Sequence, residues 1–222
     1  MYSDKLSIDE ICARFKVLYS GAISDILDEL GYREQVLPNY IRPLKEEWKV
    51  AGPAFTAYGE RCDDICESDI ETRIKMMESV ERNQVCVWDA EGDNVSSHWG
   101  ELMSLGVRNN GGQGAVVNGG VRDIAQIYDL NFPVFGKFRS PYTAIGRFQL
   151  KISQKPITIG GVTVNPNDFV FGDVDGIVII PKDIVEDVLM KAENIYYRER
   201  KMLIELRMGH SISEIYDRYG VF

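Results

Sequence analysis

Histidine is nearly missing from this chain: among 222 residues only His98 and His210 occur. A serine–histidine–aspartate hydrolase therefore has little to draw on, and so does a histidine-rich zinc centre. Long apolar runs are also missing. Segments such as Gly176-Ile177-Val178-Ile179-Ile180 are far shorter than the roughly 20 residues a membrane-crossing helix needs. Met1 to Lys5 lacks the basic-then-apolar layout of a signal peptide, so a soluble, cytoplasmic protein without a membrane partner is expected. Basic residues are outnumbered, 25 against 34 acidic ones, for a net charge of -9. Such a surface repels phosphate backbones, which argues against a nucleic-acid partner. Cysteine is scarce, at four. Cys62 and Cys66 have the spacing of half a zinc site, but no second pair follows, and reduced thiols are the simpler reading. Repeats, low-complexity tracts and linkers do not occur, so a single domain over residues 1–222 is expected.

What is present alternates between helical and strand patterns. Ser7-Ile8-Asp9-Glu10 is a capping box, and Ser68-Asp69-Ile70-Glu71 repeats it ahead of Ile74, Met76, Met77 and Val80, which are spaced for one buried helix face. A helix over Ser24–Leu30 is expected to stop at Gly31. An extended segment then runs to Thr56, broken by Pro43 and Pro53. Gln84–Trp88 reads as a strand, Trp99–Val107 as a short helix, and Gly114–Asn118 as a buried strand ended by Gly119 and Gly120. Asp123–Leu130 reads as a helix, and Pro133 opens another strand. Pro156–Ile180 carries short β segments with turn signals between them. A long helix, about 183–208, is capped by Asp183 with Glu186 and stopped by Gly209. Arms of this length often pack on a neighbouring subunit. The fold class is α/β with a mixed sheet.

The stretch from His98 to Asp123 carries the chemistry. In α/β proteins ligands bind at strand ends. There Gly119 and Gly120 admit close backbone approach, and Arg122 can hold a carboxylate through two parallel hydrogen bonds. Asp123 offers hard oxygen to Mg²⁺ or Mn²⁺, and Glu101 can supply a second carboxylate to the same cation or to its waters. The backbone N–H groups after Gly100 suit an anion. The plainer alternative is a solvated Arg122–Asp123 pair with Asp123 capping its own helix. His98 reads as a solvent-facing or capping residue, and Gly172-Asp173-Val174-Asp175-Gly176 as a tight turn whose side chains bond backbone. Gly112-Gln113-Gly114 precedes a strand and is misplaced for dinucleotide binding.

These residues resemble the RraA-like family, which includes class II 4-hydroxy-4-methyl-2-oxoglutarate/4-carboxy-4-hydroxy-2-oxoadipate aldolases. Those aldolases carry an acidic residue, twenty intervening residues, then Arg-Asp, matching Glu101 and Arg122-Asp123. Ser24 to Gly31, Ile41-Arg42-Pro43-Leu44, Ala51 to Thr56, Phe132 to Phe135 and Gly172 to Val178 resemble further family segments, in order from about residue 18 to 209. Two departures stand out: Glu101 replaces the aldolases' Asp, and Gly59–Glu67 is unlike the family. The resemblance implies a swivelling β/β/α domain assembled as homotrimers or homohexamers. It implies a metal-dependent aldolase that releases pyruvate from a 4-hydroxy-2-oxo acid, with oxaloacetate decarboxylation through the same enolate. Asp123 would hold Mg²⁺ or Mn²⁺ directly and Glu101 through water. Arg122, Gly100, Leu102 and Met103 would contact the small 2-oxo acid, and Glu193 or Glu199 would reach a neighbour's site. The same family includes RraA, which binds and inhibits ribonuclease E, so a non-catalytic protein-binding regulator is the alternative. RraA lacks an acidic residue at the position of Glu101, which favours catalysis.

Overall fold

Valine-rich segments bounded by glycine and polar residues form the middle of the molecule, as their β preference favours. The computed structural model describes residues 6–62, 67–90 and 92–220, with residues 67–69 described by backbone alone. Two helices come first, α1 (Ile8–Phe15) and α2 (Ser20–Glu29), then strands β1 (Arg42–Pro43) and β2 (Val50–Arg61) and helix α3 (Glu67–Glu78). Strand β3 (Val85–Asp89), strand β4 (Ser97–Trp99), helix α4 (Glu101–Asn109), strand β5 (Gly114–Val121) and helix α5 (Ile124–Leu130) follow. Strands β6 (Val134–Arg139), β7 (Phe148–Ser153), β8 (Ile157–Ile159), β9 (Val162–Val164), β10 (Phe169–Gly172) and β11 (Ile177–Ile180) complete the β structure. A 3₁₀ turn over Lys182–Ile184 leads into helix α6 (Val185–Arg207), and helix α7 (Ile212–Tyr219) ends the described chain.

The large sheet is mixed, in the order β1-β6-β5-β3-β2-β10-β11, with β4 added beside β5 and β7 beside β2. Strands β2, β3, β5 and β6 run parallel, whereas β1, β7, β10 and β11 pair antiparallel. Strand β2 holds the sheet together. Val50–Pro53 pair with β10, and Ala54–Tyr58 pair with β3. The sequence signal at Pro53 for a break is therefore overturned. Pro53 sits at the handover between partners, a place in a sheet that tolerates a residue without an N–H.

Alternation along the strands sends side chains to two faces. Phe55, Cys86, Trp88, Ala115 and Val117 bury against α3, α4 and α5. Ala54, Val85, Val87 and Val116 bury under the β8–β9 hairpin. A third cluster joins α1, α2 and the first turns of α6 to Phe169, Phe171, Val178 and Ile180.

Several elements begin or end elsewhere than the sequence suggests. Helix α2 starts at Ser20 because the buried Asp173 side chain accepts from the Ser20 N–H and Oγ, both at 2.8 Å. Asp173 also accepts from the Asp175 N–H at 3.0 Å, so this aspartate is the turn former expected. Asp183 does not cap the long helix. It lies in the 3₁₀ turn, and Ile184 stands at the cap position without a side-chain bond. Ile74 does not join the α3 buried face but stays 45% exposed, while Met76 is buried. The Ser7–Glu10 capping box forms as read, whereas the side chains of Ser68 and Asp69 lie outside the described residues.

Asp173 stabilises the α2 N-terminus with a buried charge and three donors. Replacing it with Ala leaves the Ser20 donors unpaired in the interior. Asp173→Ala is expected to cost about 2–4 kcal/mol, read as a lower urea midpoint at an unchanged slope.

Candidate active site at the Arg122–Asp123 turn

Gly119 and Gly120 do not end β5, which continues to Val121. Their role is clearance. A Cβ on Gly120 would lie 2.4 Å from the Ser96 carbonyl oxygen, and one on Gly119 would lie 2.9 Å from the His98 ring. Without those methyls β4 can settle onto β5, pairing Ser97 with Gly120 and Trp99 with Val121. The Arg122 N–H then donates to the Trp99 carbonyl at 3.0 Å. Two strand-to-helix junctions consequently lie side by side, Gly100-Glu101 and Arg122-Asp123.

Asp123 occupies the N-cap position of α5 in the left-handed region, with φ 56° and ψ 39°. That conformation costs a non-glycine residue on the order of 1 kcal/mol. Its side chain makes no cap bond to its own helix, so the reading of Asp123 as a local cap is overturned. The carboxylate instead crosses to the other junction, where Oδ2 accepts from the Glu101 N–H at 3.2 Å. Asp123 thus supplies a negative charge to the N-terminus of α4, which has no side-chain cap of its own. Gly100 makes the room, since a Cβ there would lie 2.6 Å from Asp123 Oδ2. The Arg122 Nε stands 3.6 Å from the same oxygen, and both side chains are close to half exposed.

Two hollows flank this pair. One of about 380 Å³ lies between Arg122, Asp123 and the end of β6 at Arg139 and Ser140. The other, of about 130 Å³, is lined by Gly100, Leu102, Met103, Arg122 and Asp123, with His98 and Arg73 behind them. The structure therefore gathers Gly100, Leu102, Met103, Arg122 and Asp123 around one hollow, whereas Glu101 lines neither hollow and meets Asp123 through its backbone N–H. Leu102 is 81% exposed, so it forms rim and not wall.

His98 is neither solvent-facing nor a cap. It is buried, with Nε2 3.1 Å from Asp93 and its ring edge-on to Phe148. No motif marks Asp93, Arg73 or Arg139 in the sequence. Burial would raise the Asp93 carboxyl. Donation from the Ser96 and Val95 N–H groups, with the positive potential of His98, holds it below its ordinary value of 3.8. Glu193 accepts from Arg14 at 2.8 and 2.5 Å, and Glu199 accepts from the Tyr19 hydroxyl, so both are partnered within their own chain. Within Gly59–Glu67, Gly59 packs against Phe148, while Asp63 to Cys66 and the Glu67 side chain lie outside the described residues.

Among the described residues, no three His, Cys, Asp or Glu side chains form a metal-binding group. The donors suit a hard cation that keeps most of its water: one carboxylate beside an open hollow and a second on the adjoining helix turn. Mg²⁺ and Mn²⁺ fit this set, whereas thiophilic metals do not.

Residues 20–179 match the model of the RraA-like family, Aldolase/RraA. The chain belongs to this family. A Halalkalibacterium halodurans protein provisionally named 4-hydroxy-4-methyl-2-oxoglutarate aldolase is 34% identical over 83% of this chain and 82% of its own length. Legionella pneumophila DlpA is 30% identical over 90% of this chain, which spans only 32% of DlpA. Among solved structures, a Pseudomonas syringae pv. tomato protein superposes with a TM-score of 0.85 at 26% identity, covering 99% of this chain and 98% of that one. Streptomyces coelicolor RraAS2, described as an unusual member of the RNase ES inhibitor RraA protein family, shares the fold at TM-score 0.77 and 24% identity, over 90% of this chain and 98% of its own. The α/β fold with its mixed sheet is therefore the RraA-like one. No helix among the described residues is long and apolar enough to cross a membrane.

The depressed Asp93 carboxyl links stability to pH. A group with a lowered folded-state value adds stability above its unfolded value and loses it as pH falls through the folded one. Urea melts of wild type and Asp93→Asn should differ most near neutrality. The gap should close progressively below pH 3.8, the ordinary aspartate value.

Proposed function

We propose that this RraA-like protein is a divalent-metal-dependent lyase that cleaves a 4-hydroxy-2-oxo acid into pyruvate and a second oxo compound. Oxaloacetate decarboxylation is the expected side activity. The observation that carries the reading is the Asp123 carboxylate, held on the Glu101 N–H beside the Arg122 guanidinium at the edge of a hollow. The H. halodurans relative's name points the same way.

Cleavage breaks the C3–C4 bond. A proton leaves the 4-hydroxyl, whose carbon becomes the carbonyl of the second product. The electron pair stays on C3 of the pyruvate fragment as an enolate, which then takes a proton. A bound Mg²⁺ or Mn²⁺ ion would supply Lewis acidity to the oxo acid, and Asp123 would hold it directly and Glu101 through water. Arg122 binds the substrate carboxylate and sets positive charge beside the developing enolate oxygen. Glu101 reaches as far as the aspartate of the aldolases plus one methylene, which suits a contact made through water. Gly100 keeps the Asp123 carboxylate seated, and Leu102 and Met103 border the substrate.

The working form in this proposal is a homotrimer or homohexamer in which α6 lies against a neighbour. Past Met202, which is buried, the helix leaves Leu203 42% and Ile204 53% exposed, apolar surface that such packing would cover. A neighbour's Glu193 or Glu199 would take the hydroxyl proton, the first while paired with Arg14 and the second while accepting from Tyr19 in its own chain. The second reading, a non-catalytic regulator of ribonuclease E, is favoured by the shared fold of RraAS2 and opposed by the acidic residue at position 101.

The purified protein with Mg²⁺ or Mn²⁺ should release pyruvate from a 4-hydroxy-2-oxo diacid and from oxaloacetate in a dehydrogenase-coupled assay, and EDTA should stop it. Asp123→Ala should lower kcat/KM by at least about 100-fold, and full activity in that variant would refute the assignment. Gly100→Ala should fold, because its φ of -160° suits any residue, yet lose about tenfold or more by displacing Asp123.

A further inference from the structure

The larger hollow holds a cation that the lyase chemistry above does not use. Arg139 ends β6 directly beside Val121 of β5, so its side chain and that of Arg122 leave neighbouring strand ends and line the same 380 Å³ space. Arg139 is exposed but not loose. Its Nη2 donates to the Tyr128 hydroxyl oxygen at 3.1 Å, and that hydroxyl spends its own proton on the Leu44 carbonyl at 2.6 Å. The guanidinium is therefore oriented by a neutral oxygen.

Among the described residues no carboxylate pairs with Arg139. Among the described residues the carboxylate beside Arg122 is that of Asp123, at 3.6 Å. The hollow thus presents two guanidinium groups against one carboxylate, in a protein whose net charge is -9. Two of its cationic side chains face one small space with Ser140 beside them. A site of this size suits a small organic acid, and two arginines favour a doubly charged one.

We propose that Arg139 reads the second carboxylate of the substrate and sets the preference for dicarboxylic over monocarboxylic 4-hydroxy-2-oxo acids. The inference rests on the lyase reading, in which Arg122 and Asp123 take the oxo-acid end. Adjacent strands lie about 4.8 Å apart, a spacing on the order of that between the two carboxylates of a short diacid. One strand end thus holds the reacting carboxylate and the next holds the distal one. Arg139 reaches only that distal group and is not a catalytic residue. Tyr128 is a positioning residue that acts through it.

The test compares 4-hydroxy-2-oxoglutarate with 4-hydroxy-2-oxopentanoate as substrates of the full chain with Mg²⁺. The ratio of their kcat/KM values should fall about tenfold in Arg139→Gln, through KM of the diacid, and recover in part in Arg139→Lys. An unchanged ratio in a variant that melts like wild type overturns the proposal. Binding of the uncleaved pair 2-oxoglutarate and 2-oxopentanoate, by calorimetry, separates this inference from the lyase reading. If neither hydroxy acid yields pyruvate, the lyase reading falls. Tighter binding of 2-oxoglutarate by wild type, lost in Arg139→Gln, would still uphold Arg139. Equal binding of the two acids by wild type overturns it. Should Arg139→Gln fail to fold, Arg139→Lys and Tyr128→Phe carry the same comparison.

Discussion

A single hydrogen bond, from the Glu101 N–H to the Asp123 carboxylate, joins two helix starts that are far apart in sequence. The rest of the candidate site depends on it. The bond requires Asp123 to accept a left-handed backbone, Gly100 to have no side chain, and β4 to lie close on β5 over two glycines. Each condition costs local stability, in backbone strain or in lost side-chain packing. Proteins tolerate such departures from local preference mainly where function repays them. What is gained is a carboxylate whose position is set by two separate elements, next to a guanidinium that cannot lose its charge.

Much of this was legible in the sequence because the relevant signals are local. Alternation and β-branched runs gave the central strands, Ser7 and Glu10 announced α1, and the Gly172–Gly176 turn behaved as its aspartates suggested. The pairing of Glu101 with Arg122-Asp123 could be read from spacing and resemblance. The missed features depend on distant partners. Helix α2 begins early because Asp173, remote in the chain, supplies its first bonds. His98 is buried because Asp93 and Phe148 meet it from two sides. Arg139 gains its setting from strand register and from Tyr128, and neither leaves a motif. Helix α7 is the exception. Ser211 and Glu214 form a capping box as plain as the first one, and that signal was available.

The acidic groups of α6 show how one helix face can serve its own chain before any other. Arg14 and Tyr19 fasten Glu193 and Glu199 to the N-terminal segment, and the buried side chains of Val188, Leu189 and Ala192 hold the same turns to α1 and α2. Beyond them the helix is met by α7, whose Arg218 and Tyr219 side chains donate to Glu205, while Leu203 and Ile204 stay exposed. The electrostatic logic resembles that of the turn at Asp123: carboxylates are placed where a specific donor fixes them, and bulk charge is left to the open surface.

Strand β2 has a consequence for how the molecule comes apart. Its twelve residues carry the ladder to β10 at one end and those to β3 and β7 at the other. A covalently continuous strand shared in this way leaves no seam along which one half could melt while the other persists. The amides at the centre of β2 should then exchange with deuterium only through global opening, at the same free energy on both sides of Pro53.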